Sequence, residues 1–267
     1  MQDTEIAKRL EFALKIAAEA GTFAKSFFKE IDNLKIESKG HQDLVSNADK
    51  DTETMIRAAI AQSWPDDGIV GEEHGRKHGT SGYDWVIDPI DGTANFVRGI
   101  PQWCVAIACS YHGDAVIGVI NEPVSGELFS CRRNGGAFCN GKPISTSSLS
   151  SISEGSVGTG FSGRAPAGNI VGIIARIVAD GGVFFRNASG ALMLAYVAAG
   201  RLLGYLEEHM NSWDCVAGLL LIEEAGGTIV KPDPNTVLDH GTVVVAGAPK
   251  VFAEIDALAR ENFTVKT

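Results

Sequence analysis

Two acidic residues three apart, Asp88 and Asp91, close the run Trp85-Val-Ile-Asp-Pro-Ile-Asp-Gly-Thr93. An apolar segment that ends in paired carboxylates and then Gly-Thr reads as a strand delivering ligands to a metal and amides to an anion. Oxygen-only ligands suit hard cations such as Mg2+. Pro89 removes one backbone donor and stiffens the chain between the carboxylates. Gly92 permits close backbone approach to a ligand, and a helix starting there would aim free N–H groups at a phosphate. An ordinary turn is the alternative, since Asp, Pro and Gly are also turn formers.

Two further segments share this character. Residues 69–73, Ile-Val-Gly-Glu72-Glu73, end a short apolar run in carboxylates, and Asp214 opens a strongly apolar stretch, where an acid also serves as a helix cap. The blocks Gly71-Glu72-Glu73, Asp88-Pro-Ile-Asp-Gly-Thr93 with Asn95-Phe96 and Gly99-Ile-Pro101, and Trp213-Asp214 through Glu224-Ala-Gly-Gly227 together resemble the inositol monophosphatase family, within the Mg2+-dependent, lithium-sensitive phosphomonoesterase superfamily. Lys39-Gly-His-Gln-Asp43 through Asp49 is similar to that family's Lys-x(3)-Asp-x(5)-Asp pattern. The resemblance runs from about Lys39 to the strand near Val245.

That resemblance implies hydrolysis of a small phosphate monoester, myo-inositol monophosphate or a similar polyol phosphate. Two metal ions roughly 3.5–4 Å apart would neutralise the phosphate, activate water and stabilise the leaving alkoxide. Charge balance agrees: four carboxylates (Glu72, Asp88, Asp91, Asp214) match two Mg2+ ions, and a substrate dianion favours a third. By resemblance, Glu72, Asp88 and the Ile90 carbonyl hold one metal, and Asp88, Asp91 and Asp214 a second. Thr93, oriented by Asp49, helps activate the water together with Glu72. Gly92 and Thr93 amides cradle the phosphate, and Glu207, Ser189 and Gly190 face the substrate. Arg98, Ala94 and the Ser189-Gly190 pair depart from the family's usual residues, which leaves substrate choice open. Histidinol phosphate is the alternative ester, and a role through RNA or the transcription apparatus is the alternative of a different class. Asp49 also reads as an early-turn helix acid, Glu73 as a surface or supporting residue, and Glu207 and Glu208 as exposed strand acids. His74 and His78 have zinc-like spacing, but Gly75 and Gly79 argue against the helix such a pair needs.

These residues need a scaffold. The chain has 267 residues, 45% hydrophobic, enough for a sizeable core in one or two units. Net charge is −10, which argues against a nucleic-acid or anionic-membrane surface; bound divalent cations would reconcile it with an anionic substrate. Five cysteines without Cys-x-x-Cys spacing read as reduced, mostly buried thiols. No run reaches membrane-spanning length and the acidic start resembles no secretory signal, so a cytoplasmic protein is expected, and the family implies a homodimer. Periodicity predicts helices over 4–30, from about Ser46 to before Pro65, 167–179, 189–199, from Trp213, and at the end of the chain. Strands are expected at 34–37, before Glu72 and Asp88, at 103–111 and 114–120 as a hairpin, and at 127–132, 154–159, 183–186, 204–206, 228 and 243. This alternation predicts a layered α/β (α+β) architecture, which the resemblance specifies as alternating layers of helices and mixed β-sheets. The Ser-rich stretch 145–153 suggests a division into 1–145, with the main metal-binding motifs, and 146–267, with Asp214 and the substrate-facing residues, in one compact unit.

Overall fold

The structure, a computed structural model, describes residues 2–40 and 43–264. The first helix, α1 (Gln2–Lys29), leads to a hairpin of β1 (Ile36–Gly40) and β2 (Asp43–Ser46), then α2 (Asn47–Ser63). Next come β3 (Gly68–Gly71), β4 (Gly75–Lys77), β5 (Tyr83–Asp91), the one-turn α3 (Thr93–Phe96), β6 (Cys104–Tyr111), β7 (Asp114–Glu122), β8 (Glu127–Arg132), β9 (Ala137–Cys139) and β10 (Lys142–Pro143). The second half runs β11 (Ser156–Thr159), α4 (Ala167–Ala179), β12 (Val183–Phe185), α5 (Gly190–Ala198), β13 (Gly204–Met210), α6 (Ser212–Glu224), β14 (Thr228–Ile229), α7 (Val237–His240), β15 (Thr242–Gly247) and α8 (Phe252–Asn262).

Two mixed sheets result, one ordered β10-β9-β8-β7-β6-β5-β3-β4 and the other β12-β11-β13-β15-β14. Alternation along β5 explains the layering. Trp85 and Ile87 pack with Ile16 of α1 and Ile56 and Ile60 of α2, while Val86 points the other way, into a core shared with α5 and α6. Tyr205, Val244 and Ala246 of the smaller sheet close that second core from the far side. The opposite face of the smaller sheet buries Val157, Leu206 and Val245 against α4 and α8. The order is therefore helix, sheet, helix, sheet, helix, the alternating architecture expected. A helix caught between two sheets has no solvent face, so α6 is apolar almost all round. It lies close on β7, since a Cβ at Gly118 would sit 2.5 Å from the Ala217 carbonyl.

Helix limits follow the sequence signals closely: α4 spans the expected residues, and Ser46 caps α2 in a capping box with Asp49. Short β2, β4, β9, β10 and α7 carry too few residues for a periodicity, and the sequence reading lacks them. The division at 145–153 stays a proposal, because the core joining α5 and α6 to the larger sheet runs across it. All five cysteines are free, and Cys139 alone is not fully buried. No helix among the described residues is long and apolar enough to cross a membrane.

Candidate active site

In a regular strand, residues three apart point to opposite faces. Asp88 and Asp91 escape this rule through a bulge. Asp88 pairs with Ala106 and Asp91 with Cys104, so β5 advances three residues while β6 advances two. The extra residue reverses the alternation. Ile90 then falls into a cluster with Ala24, Ala48, Phe96 and Trp103, while Asp91 turns to the side of α5. Pro89, without an N–H to pair, suits the irregular stretch. The Asp88 carboxylate also accepts the Ile90 amide at 3.0 Å, which fixes the bend.

Asp214 arrives from the opposite wall, in the first turn of α6. Its carboxylate accepts the Asn211 amide at 3.2 Å, so it serves as a helix-start acid while meeting the strand carboxylates. Oxygens of Asp88, Asp91 and Asp214 lie within 4.8 Å of one another. Asp88 and Asp91 are buried, and Asp214 keeps some contact with solvent. Burial pushes Asp88 well up, reinforced by the negative charges of Glu72, Asp91 and Asp214. Burial likewise raises Asp91, against the hydrogen bonds of Ser189 and the α5 amides, and it raises Asp214 to about 7 with Asp91 adding repulsion. Oxygen donors that repel one another this strongly fit a divalent cation, which neutralises them together. Glu72 follows β3, with its amide on the Ile87 carbonyl at 3.3 Å. It is outside the close triad, yet its charge is the largest electrostatic influence on Asp88 after burial.

Thr93 and Asp49 also come together. The Thr93 hydroxyl lies 2.9 Å from Asp49 Oδ1 and 3.0 Å from the Ile90 carbonyl, both acceptors. Asp49 Oδ2 accepts the Ser46 hydroxyl at 2.6 Å, so the capping reading and the Thr93 contact both hold. Burial raises Asp49, opposed by its Ser46 and Thr93 hydrogen bonds. Gly92 sits at φ +96°, a left-handed backbone, and a Cβ there would come 3.0 Å from the Gln102 carbonyl. Because α3 has four residues, an anion there would meet local N–H groups rather than a long dipole.

The substrate-facing candidates separate. Glu207 lies on β13, where Tyr205 donates to its Oε2 at 2.5 Å and burial pushes it up to about 7. Neither strand acid is exposed: Glu208 is 7% exposed and accepts Asn169 Nδ2 at 2.8 Å and the Thr264 amide at 2.6 Å. Ser189 is fully buried, and its hydroxyl, like the Gly190 amide, is directed at Asp91. His74 bonds Thr54 and the Lys50 carbonyl. In the Lys39–Asp43 block, His41 and Gln42 lie outside the described residues, as do the side chains of Lys39 and Asp43.

Glu53 was missed by the sequence reading. It is fully buried on α2, accepting the Glu73 and His74 amides at 2.7 and 3.2 Å and Arg57 at 2.9 Å, and so anchors the turn that presents Glu72. Its signal was available: an acid four residues after Asp49 and three before Ile56, on the helix's apolar side. Cys104, whose Sγ lies 3.6 Å from Asp91 Oδ2, had no such signal.

The chain matches a family model described as the inositol monophosphatase family over residues 5–263. It is 38% identical over 239 residues to an inositol-1-monophosphatase of Mesorhizobium japonicum, covering 88% of this chain and 90% of that one. It is 35% identical over 260 residues to the Nus factor SuhB of Escherichia coli, covering 96% and 97%. The crystal structure of the extragenic suppressor protein suhB from Bartonella henselae superposes with a TM-score of 0.90 at 30% identity, over 96% of this chain and all of that one.

Proposed function

The chain belongs to the inositol monophosphatase family, a family of phosphatases, and we propose that it is a Mg2+-dependent phosphomonoesterase acting on myo-inositol monophosphate or a similar small polyol phosphate. The observation that carries this reading is the convergence of Asp88, Asp91 and Asp214 within 4.8 Å, beside the Thr93–Asp49 pair. Glu72, Asp88 and the Ile90 carbonyl would hold one Mg2+, and Asp88, Asp91 and Asp214 a second, with a third favoured by the substrate. When bound, these ions supply Lewis-acid stabilisation of the phosphate and leaving oxygen and lower the proton affinity of water.

The protein's own part is positioning and proton handling. With its proton held by Asp49, the Thr93 hydroxyl turns its lone pairs outward as an acceptor for a water O–H. Gly92 and Thr93 amides face the phosphate. Glu207, held by Tyr205, offers its other oxygen to a substrate hydroxyl.

Phosphate release from myo-inositol 1-phosphate in Mg2+, with histidinol phosphate alongside and EDTA as the blank, tests the reading. EDTA-sensitive release from the inositol ester supports it, preference for histidinol phosphate moves the substrate, and release from neither removes it. Asp91→Asn is expected to abolish turnover with the fold retained. The Escherichia coli relative named a Nus factor favours a second reading, in which the chain works by interaction. The net charge of −10 opposes direct RNA contact, and a salt-dependent shift of labelled RNA would revive it. A cytoplasmic homodimer is part of the proposal, and mass determination in solution tests its oligomeric element.

A further inference from the structure

Asp91 is held asymmetrically. Three donors converge on Oδ2: the Ser189 hydroxyl at 2.5 Å, the Ala191 amide at 2.8 Å and the Cys104 thiol at 3.6 Å. Among close hydrogen bonds Oδ1 receives one long contact, the Gly190 amide at 3.2 Å, and the Leu192 amide adds a weaker pull on the same carboxylate. Each carboxylate oxygen has about two lone-pair directions, so Oδ2 is saturated by protein donors and Oδ1 is not. The donors come from two rigid elements, β6 and the start of α5, and Cys104 and Ser189 are fully buried, with 3.7 Å between their side chains. Rotation of the carboxylate would break the short Ser189 bond and leave a fully buried hydroxyl without that partner.

We propose that Ser189, with Cys104 behind it, is a positioning residue that locks Asp91 so that it binds metal through Oδ1 alone. This inference rests on the proposed metal site and assigns Ser189 a task other than substrate contact. A lone serine facing substrate would change KM for the ester. A serine that orients a ligand changes metal affinity with or without ester, by about 10–100-fold when such supporting bonds are removed.

The test is calorimetric titration of Mn2+ and Mg2+ into metal-stripped wild-type and Ser189→Ala protein without substrate, alongside the Mg2+ dependence of phosphate release and the metal-free melting curve. Ser189→Ala is expected to weaken one class of metal site at least tenfold. The Mg2+ concentration for half-maximal rate should rise in parallel, and ester KM at saturating Mg2+ should stay within twofold. Ser189→Thr, which retains the hydroxyl, should restore most of the affinity. Metal binding within twofold of wild type, or a changed ester KM with unchanged metal binding, overturns the assignment. If Ser189→Ala does not fold, Ser189→Cys, near in size and a weaker donor, carries the same comparison with a smaller expected loss, and unchanged affinity there also overturns it. Absence of metal binding in the wild-type protein overturns the metal site itself, a different result from equal binding in both.

Discussion

The metal-free protein should have an unusual pH dependence of stability. Asp214, raised to about 7 from an ordinary 3.8, and Glu207, raised to about 7 from 4.5, hold protons in the fold that the unfolded chain has already released at mildly acid pH. A group whose folded pKa lies above its unfolded value stabilises the fold below the unfolded pKa and loses that contribution as pH rises through the folded one. Between about pH 5.5 and 7.5 each of these two groups gives up about 2 kcal/mol, reduced by the solvent contact both keep, so together they give up about 4 kcal/mol or less, and Asp88, also raised by burial, acts in the same direction. Carboxylates held low, such as Glu127 beside Arg201, act only at lower pH and leave this window clear. At roughly 2 °C per kcal/mol for a chain of this size, Asp214 and Glu207 alone should lower the melting temperature by up to about 8 °C. Calorimetric melting after EDTA treatment, in steps across that range, measures it. Saturating Mg2+ should remove the part due to Asp214 and its neighbours, leaving the part due to Glu207. A metal-free melting temperature that is flat or rises from pH 5.5 to 7.5 would refute the reasoning about the buried carboxylates.

Three further outcomes are expected. Thr93→Ala should lower kcat by about 10²–10⁴-fold with metal binding unchanged, and Thr93→Ser should recover most of it, as read by steady-state kinetics. Arg9→Met should cost about 3–5 kcal/mol in urea unfolding, because Arg9, stacked between Trp64 and Tyr83, is the buried partner of Asp67 at 2.9 Å; metal affinity should not change. Gly160→Ala would place a Cβ 1.8 Å from Glu207 Oε2 and 2.1 Å from the Tyr205 hydroxyl, so kcat/KM for polyol esters should fall about tenfold or more while metal titrations stay as wild type.

Much of this molecule could be read from its sequence, and the limits have physical causes. Long helices announced themselves because a buried stripe recurs every three to four residues, and local chemistry such as Ser46 at a cap fixes an end without distant help. The alternation of helical and sheet layers came from family resemblance, since periodicity shows that a face is buried and not against what. Glu207, read as substrate-facing or else as an exposed strand acid, and Glu208, read as exposed, are both enclosed by segments distant in the chain.

The sequence by itself determined which carboxylates exist, that Asp88 and Asp91 close an apolar strand, and that Asp214 begins a helix. Only the tertiary structure decided that they meet. Period-two alternation would have sent Asp88 and Asp91 to opposite faces, and the bulge at Pro89–Ile90 returns both to one side. That bulge is a property of the pairing between β5 and β6 and leaves no periodic trace. The clasp of Ser189 and Cys104 on Asp91 joins residues 98 and 13 positions away, and distances of that kind are set by packing rather than local preference.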